Sequence, residues 1–308
     1  MEDRKSVLSN PAVAYTLSVF VWMAWGSAFP LIKKCYELFS IQGIASPLMF
    51  GGIRFLIAGT ILLAFSWIKN RHIPVLSLKN YKKLLLLGTI QTGLTYFFEY
   101  IALNYCSGTN SSIVNAAEPF LLTIFSAMFF KSDRITFRKI AGIVIGFTGV
   151  IVCLMDGGSL SFTFIGEGFI FIQAVFFCLG SIVAKIVSAD VEPSVTSGYN
   201  LIIGGAEIFF IGLFSGGHIT NGGTQGFAIL GILAGISAFC FMLWTALCTV
   251  NPVSKLAPLQ FINPLTGAVV SGILLKENIL QPKYLIAIAL VCVGILIATT
   301  TGKQKNPV

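Results

Sequence analysis

Long apolar stretches, separated by short polar connections, follow one another along almost the whole chain. Each stretch reaches the ~20 residues that a helix needs to cross a bilayer. Backbone polar groups inside a bilayer must be paired within their own segment, so we predict a helix for every stretch and an all-α integral membrane protein. The ten predicted spans are residues 11–32, 46–68, 83–106, 109–130, 136–155, 165–187, 194–216, 225–250, 252–275 and 283–301.

Composition agrees with this pattern. The chain has 308 residues, of which 56% are hydrophobic and 10% are charged, and its mean hydropathy is +0.87. Soluble domains carry about 25% charged residues, so this chain has too little polar surface for one. The first stretch is long, carries Trp22 and Trp25 and has no A-x-A end. We therefore interpret it as a retained span rather than a signal peptide.

The net charge of +8 comes from cations in the short connections. This distribution favours the positive-inside rule over nucleic-acid binding, and it predicts that both tails, 1–10 and 302–308, are cytoplasmic in a multi-pass protein of the cytoplasmic membrane. Four lysines fall on the opposite side and oppose this orientation: Lys33, Lys34, Lys276 and Lys283. The cations that support it are Arg4, Lys5, Lys69, Arg71, Lys79, Lys82, Lys83, Lys131, Arg134, Arg138, Lys139, Lys303 and Lys305.

An internal repeat runs through the chain. "EPFLL" at 118–122 aligns with "NPLTG" at 263–267 at an offset of 145 residues, and "RFLIAG" at 54–59 aligns with "NLIIGG" at 200–205 at an offset of 146. Further short matches keep the same order, which indicates two halves of five spans each. Because five is odd, the second half would enter the membrane with opposite polarity, as in many secondary transporters. The predicted halves are residues 11–155 and 156–301.

Several segments carry a family resemblance. They are "WGSAFPLIK" in the first span, "IRFLIAG" in the second, "ALNYCSGTNSSIVNAAEPFLLTIFSAMFFK" through the fourth and "GIVIGFTGVIV" in the fifth. With these segments the chain resembles the EamA-type family of the drug/metabolite transporter superfamily. The resemblance implies ten helices in a 5+5 inverted repeat and export of small metabolites, often amino acids or related compounds. It gives no role to Glu99 and Glu118, which stand where the family is expected to be mostly uncharged.

Four ionisable residues fall inside predicted spans: Arg54, Glu99, Glu118 and Glu207. An ionisable side chain within a span costs ~2.5–3.5 kcal/mol on insertion scales and is functional by default. At a helical rise of ~1.5 Å per residue, counted from the predicted outer ends of their spans, Arg54 and Glu99 lie roughly 10 Å deep in the membrane and Glu118 roughly 13 Å deep. Arg54 could pair with one carboxylate as a structural ion pair. Alternatively, a glutamate faces a water-filled cavity and binds substrate or a proton, and Glu207 either lines that cavity or pairs with another helix.

Two prolines mark a candidate site. Pro119 cannot donate a hydrogen bond to the carbonyl of Asn115, and Asn115 shares a helical face with Glu118. In the second half, Pro264 frees the carbonyl of Gln260, which shares a face with Asn263. Irregular backbone is tolerated at membrane depth where protein or a cavity covers it, so we predict that these segments form two sides of one site. Plain helix shaping is the alternative, as it is for two further hinge candidates, Pro30 and Pro258.

Aromatic residues complete the predicted site. Tyr96 and Glu99 lie three residues apart on one helical face, and an aromatic ring beside a carboxylate suits an ammonium group. Trp25 and Trp244 are further candidate wall residues, with packing or lipid contact as the alternative. The seven cysteines show no CxxC spacing and the two histidines fall in connections, so we predict no metal and no cofactor.

These observations predict a secondary transporter for a small zwitterionic or cationic metabolite. It would work by alternating access, with export coupled to proton entry. A solute channel or facilitator, or uptake instead of export, remains open, as does the choice between a monomer and a homodimer. No H-E-x-x-H motif and no Walker-type phosphate loop occurs, so neither an embedded enzyme nor an ATP-driven pump is predicted.

Overall fold

A computed structural model describes residues 7–71, 76–129, 137–156, 159–160, 162–277 and 280–299. Most of both predicted tails, and the basic residues Lys131 and Arg134, lie outside this part of the chain. The described residues are almost entirely helical. One short antiparallel ladder joins β1 (Met155–Asp156) to β2 (Ser159–Leu160) in the connection between the two halves of the sequence.

Helices occur at each of the positions that the apolar stretches predict, and several are interrupted. The first half of the chain forms α1 (Pro11–Gly26), α2 (Ala28–Leu38), α3 (Ala45–Asn70), α4 (Leu78–Leu87), a π-helix (Gly88–Leu94), α5 (Thr95–Ala102), α6 (Gly108–Val114), a 3₁₀ turn (Asn115–Ala117), α7 (Glu118–Phe129) and α8 (Phe137–Leu154). The second half forms a π-helix (Phe164–Gly168), α9 (Phe169–Val187), α10 (Pro193–Phe214), α11 (Gly223–Val250), α12 (Val253–Leu256), a 3₁₀ segment (Ala257–Phe261), α13 (Ile262–Leu274) and α14 (Pro282–Thr299).

Local sequence explains where several of these helices begin. The side chain of Asn10 accepts a hydrogen bond from the backbone of Ala12 at 3.0 Å, and Pro11 occupies the first helical position, where no N–H is needed. Ser77 and Ser107 cap α4 and α6 in the same way. Such caps pair backbone donors that the helix itself leaves free.

Five helical segments in the described ranges are long and apolar enough to cross a membrane: Pro11–Leu38, Ala45–Asn70, Phe164–Val187, Pro193–Phe214 and Gly223–Val250. Shorter apolar helices, such as Ile262–Leu274, accompany them. Large apolar side chains are exposed along these helices, which suits contact with lipid rather than water. The chain is therefore a multi-pass membrane protein.

Helices α3 and α10 pack closely against each other along glycine-lined faces. A Cβ atom added to Gly52 would lie 2.7 Å from the carbonyl oxygen of Gly205, and one added to Gly59 would lie 2.8 Å from that of Gly198. The later residue of α3, Gly59, contacts the earlier residue of α10, Gly198, so the two helices are antiparallel. Small residues allow the backbones this close approach, as is common between membrane helices.

Helices α8 and α14 form a second antiparallel pair. A Cβ atom on Gly149 would lie 2.7 Å from the carbonyl oxygen of Ala287, and one on Gly294 would lie 2.6 Å from that of Gly142. The members of both pairs, α3 with α10 and α8 with α14, occupy matching places in the two halves of the sequence. Each helix therefore packs on the counterpart that the internal repeat assigns to it.

Polar contacts gather at the two ends of the helices. At one end, Lys69 forms an ion pair with Glu192, and Lys83 forms one with Asp190 at 2.9 Å. At the other end, Nζ of Lys33 donates hydrogen bonds to two carbonyl oxygens that follow α5, those of Leu103 at 2.9 Å and Cys106 at 2.8 Å. These contacts tie connections together at both ends of the helices.

Candidate functional site

The helix that follows residue 107 is broken where the sequence places its proline. Helix α6 ends at Val114, a 3₁₀ turn spans Asn115–Ala117, and α7 begins at Glu118 directly before Pro119. Because Pro119 has no N–H, the regular hydrogen-bond ladder cannot pass through this point. The break leaves Asn115 and Glu118 buried, each with 4% of its surface exposed.

The matching helix of the second half is broken in a similar way. A 3₁₀ segment spans Ala257–Phe261, and α13 then carries Asn263 and Pro264. Asn263 stands 145 residues after Glu118, which is the offset of the internal repeat, and 5% of its surface is exposed. Both halves thus place a polar side chain immediately before a proline and just after a stretch of 3₁₀ geometry.

One cavity connects these two breaks. It holds about 30 Å³ of space accessible to a water-sized group, which is room for one or two water molecules in this conformation. Its walls come from helices of both halves of the chain. The lining residues are Trp22, Trp25, Ala28, Phe29, Arg54, Tyr96, Glu99, Asn115, Glu118, Gln173, Phe177 and Asn263.

An amide cluster holds the Glu118 side of the cavity. Nε2 of Gln173, on α9, donates to Oε1 of Glu118 at 3.4 Å and to Oδ1 of Asn115. No cation of the described chain forms an ion pair with Glu118 within 4 Å. The carboxyl group of Glu118 is therefore held by an amide rather than by a cation.

Arg54 lies in the same cavity with neutral hydrogen-bond partners. Its Nε donates to the carbonyl oxygen of Leu233 at 3.2 Å and to Oγ of Ser237 at 2.9 Å, and its Nη1 donates to Oη of Tyr100 at 3.0 Å. Among the residues that the structure describes, no ion pair within 4 Å joins Arg54 to Glu99 or Glu118. The structural ion pair that the sequence left open is therefore not formed.

Aromatic rings form much of the cavity wall. The ring of Trp25 lies with its centroid 4.9 Å from that of Trp22 and 5.6 Å from that of Phe177. Tyr96 lines the cavity, and the centroid of its ring lies 4.3 Å from that of the Phe55 ring. This wall excludes water from much of the surface around the charged groups, which strengthens electrostatic attraction inside it.

Three predicted site residues lie outside the cavity lining. Trp244 stands behind the wall, with its ring centroid 4.9 Å from that of Trp22. Gln260 is buried, and its amide atoms have no hydrogen-bond partner among the described residues. Glu207 lies on α10 and accepts a hydrogen bond from Oγ1 of Thr89 at 2.6 Å, so the alternative in which it lines the cavity is not supported.

The remaining predicted hinges also lie at irregular backbone. Helix α1 ends at Gly26 and α2 begins at Ala28, so the chain breaks one turn before Pro30. Pro258 falls within the 3₁₀ segment Ala257–Phe261, and its side chain lies outside what the structure describes. A Cβ atom on Gly26 would lie 2.5 Å from the carbonyl oxygen of Asn263, so only a glycine lets the two broken helices approach this closely.

The sequence prediction missed several lining residues, namely Trp22, Ala28, Phe29 and Phe177. A usable signal was present in the sequence. Trp22 and Trp25 on α1 and Phe29 on α2 recur at helical spacing along the first predicted span, and Phe177 follows Gln173 by four residues. Aromatic residues are so abundant in this chain that this spacing does not distinguish a cavity wall from ordinary packing.

Comparisons with known proteins agree with the fold and the predicted class. A model of the EamA-like transporter family matches residues 12–155 and 164–300. The chain is 26% identical over 293 residues to YvbV, an uncharacterized transporter of Bacillus subtilis (strain 168), with 94% of this chain and 92% of that protein covered. It is 29% identical over 251 residues to YedA, an uncharacterized inner membrane transporter of Escherichia coli (strain K12), with 76% and 77% covered.

Two more distant similarities concern a plant protein and a solved structure. The chain is 20% identical over 275 residues to a chloroplastic WAT1-related protein of Arabidopsis thaliana, which covers 86% of this chain but only 64% of the plant protein's length. A protein crystal structure superposes with a TM-score of 0.71 at 18% identity, covering 93% of this chain and 96% of that one, which shows a shared fold. With the family model matching almost the whole sequence, this chain belongs to the EamA-like transporter family, and it is a membrane transporter.

Proposed function

We propose that the protein is a secondary transporter whose two halves enclose one solute site and expose it alternately to the two sides of the membrane. The observation that carries this proposal is the central cavity, which combines Glu118 of one half with Gln173 and Asn263 of the other. A site built from both halves changes its access when the halves rock against each other, as in inverted-repeat transporters.

The same proposal assigns ten spans to a 5+5 inverted repeat, with halves at residues 11–155 and 156–301. The antiparallel pairs α3 with α10 and α8 with α14 support it, because counterparts of opposite polarity would pack in this way. The two separate matches to the family model fall on the same halves. The short and broken helices would then cross the bilayer beside the five longer ones.

We further propose that both termini are cytoplasmic and that the protein lies in the cytoplasmic membrane. The ion pairs Lys69–Glu192 and Lys83–Asp190 support this orientation, because they join two connections at one end of the helices and that end carries most of the loop cations. Positively charged connections favour the cytoplasmic side.

The solute in this proposal is a small zwitterionic or cationic metabolite. Glu118 would receive its amino group, with Glu99 as a second carboxylate in the same cavity. Asn115 and Asn263 would donate or accept hydrogen bonds, and Trp25 and Tyr96 would contact the cation through their rings. In this conformation the cavity has about 30 Å³ of space for water-sized groups, so in this proposal the halves move apart to admit the solute.

Proton coupling is the second part of the proposal. Two buried carboxyl groups share one small cavity, so bringing both to the charged state together is unfavourable by mutual repulsion. Protons entering from outside would displace the solute's amino group from Glu118, and solute export would then be driven by proton entry.

A melting screen followed by a flux assay tests the proposal. The purified full-length protein is melted in the presence of amino acids, polyamines and nucleosides, because a ligand that binds the folded form at about 100 times its Kd stabilises it by ~2.7 kcal/mol. The compound with the largest shift is then followed, in labelled form, in proteoliposomes. We expect saturable counterflow and proton movement in the opposite direction. Voltage-driven current without counterflow would show a channel instead.

A further inference from the structure

We propose that Arg54 is the anion-binding residue of the central cavity, so that the transported solute must carry a carboxylate as well as an amino group. This inference rests on the proposed function and narrows it, because a zwitterion is selected over a simple amine. The sequence offered Arg54 only as a structural or proton-coupling partner for a glutamate.

The guanidinium of Arg54 is held in a fixed position. Its hydrogen bonds to Tyr100, Ser237 and the carbonyl of Leu233 use Nε and Nη1, and only 1% of the residue's surface is exposed. Within the described chain, Nη2 makes no hydrogen bond to a protein acceptor, and the side chain lines the cavity. A planar guanidinium fixed in this way suits the two oxygens of a carboxylate.

The charge of Arg54 has no bound counter-ion in the part of the chain that the structure describes. Its three hydrogen-bond partners are neutral, and neither Glu99 nor Glu118 lies within 4 Å of it in an ion pair. A buried charge is costly unless it is paired. A carboxylate entering the cavity would remove that cost, so binding energy is available for an anionic group at this point.

Further unsatisfied donors lie in the same wall. Nε1 of Trp22 and Nε1 of Trp25 are buried without hydrogen-bond partners among the described residues, and both side chains line the cavity. Nε1 of Trp244, which lies outside the lining, is also unpaired among the described residues, so the two cavity indoles count here as donors available beside Arg54. A carboxylate provides about four acceptor positions and can satisfy the indole groups together with Arg54.

Acceptors for an ammonium group line the same cavity on other helices. Oδ1 of Asn263 is buried without a partner in the described part of the chain, and the carboxyl of Glu118 is fixed by Gln173 on α9. Arg54, in contrast, is fixed by Ser237 and Leu233 on α11. The donor side and the acceptor side of the cavity are thus fixed by contacts to different helices, which suits two oppositely charged groups of one solute.

A matched set of ligands tests this inference on the purified wild-type protein. The probes are the twenty free α-amino acids and, for each amino acid that raises the melting temperature, its carboxamide and its decarboxylated amine. The two derivatives keep the side chain and the amino group and lose the carboxylate. We expect the free amino acid to bind at least tenfold more tightly than either derivative. Equal binding of the derivatives, or no binding of any free amino acid, would overturn the inference.

Variants of Arg54 show whether this residue contacts the solute or only balances the charge of Glu99. R54Q should weaken amino-acid binding at least tenfold, and R54K should keep part of it because the charge remains. If Arg54 only balanced Glu99 through space, the neutral pair R54Q/E99Q would restore binding to the wild-type level, and that result would contradict the inference. Should R54Q fail to fold, the ligand comparison on the wild-type protein still decides.

The proposed function can survive the failure of this inference. If decarboxylated amines bind and exchange in counterflow as well as the amino acids do, the anion subsite is wrong while the transporter proposal stands. If no compound of any charge shows counterflow, the transporter proposal fails with it. The two failures therefore give different results in the same pair of assays.

Discussion

Glu118 and Asn263 occupy equivalent points in two similarly broken helices, and both line the same cavity, yet one is a carboxylic acid and the other an amide. Each stands directly before a proline and just after a stretch of 3₁₀ geometry. The comparison teaches that similar local backbone, a stretch of 3₁₀ geometry before a residue–proline pair, carries different chemistry at the two points through single side chains.

The surroundings of the two residues differ as well. Gln173 donates to both Asn115 and Glu118 and so fixes the first side of the site. Oδ1 of Asn263 has no partner among the described residues. The first half therefore holds a carboxyl group that an amide fixes in place, and the second half offers an amide oxygen with no partner among the described residues. Under the proposed function, this asymmetry would favour one orientation of a bound solute.

The largest expected effect comes from replacing Glu118 by Gln, which removes the charge that distinguishes the two halves. A hydrogen bond to a charged group contributes ~1.5–3 kcal/mol, so we expect solute affinity to fall about 10- to 100-fold. Counterflow in proteoliposomes at several pH values measures the loss and any change in pH dependence. Glu207→Gln is the control, because Glu207 lies outside the cavity lining, and its solute affinity should fall less than that of Glu118→Gln. Wild-type transport with an unchanged pH response in Glu118→Gln would show that the carboxyl takes no part.

An exchange of the two side chains tests whether the surroundings matter. The double variant Glu118→Asn/Asn263→Glu keeps the composition of the cavity and moves the carboxyl away from position 118, which the amide of Gln173 contacts. We expect it to recover little of the activity lost in Glu118→Asn, with transport still about tenfold or more below wild type, a loss that corresponds to ~1.4 kcal/mol. Recovery of full counterflow would mean that the cavity is symmetric and that the amide cluster has no role.

Gly26→Ala tests the close contact between the two broken helices. The added Cβ atom would lie 2.5 Å from the carbonyl oxygen of Asn263. Overpacking of this kind costs ~1–3 kcal/mol, so the melting temperature of the purified protein should fall by several degrees. Gly235→Ala is the matched control, because a Cβ atom at Gly235 has no neighbour within 4 Å. Equal melting temperatures for the two variants would argue against the contact.

The smallest effect is expected for a carboxylate outside the bilayer, which provides a reference for Glu118. The hydrogen bond from Lys83, and then its charge, hold the pKa of Asp190 below the ordinary value of 3.8. A lowered pKa stabilises the folded protein above the unfolded value, and the contribution is lost as the pH falls through the folded value. Lys83→Gln should therefore lower the melting temperature barely measurably at pH 7 and not at all near pH 2. A large shift at pH 7 would show that the pair supports the fold.

Much of the architecture follows from the sequence alone. The length and spacing of the apolar stretches predicted where the helices lie, because a bilayer leaves a helix as the only way to pair the backbone of such a stretch. The breaks at Pro119 and Pro264 followed from the missing N–H of proline. Glu118 and Asn263 could be named as candidates because polar groups are costly in such a setting.

The partners of the charged residues could not be predicted in the same way. Arg54 and Glu99 are expected at similar depth, which suggested an ion pair, but Arg54 is bound by Tyr100 and by groups of α11. Ser237 lies 183 residues away along the chain. Depth is a property of one helix, whereas a partner depends on how distant helices rotate and pack.

The sequence by itself determined a membrane protein with helices at given positions, a repeat and a set of polar residues that must be buried, because the bilayer constrains each segment separately. Only the tertiary structure decided which of those residues meet. It brought Glu118, Gln173 and Asn263 to one cavity and left Glu207 with Thr89. The physical reason is that the facing of each helix is set by contacts such as that of Gly26 with Asn263, which join residues far apart in the chain.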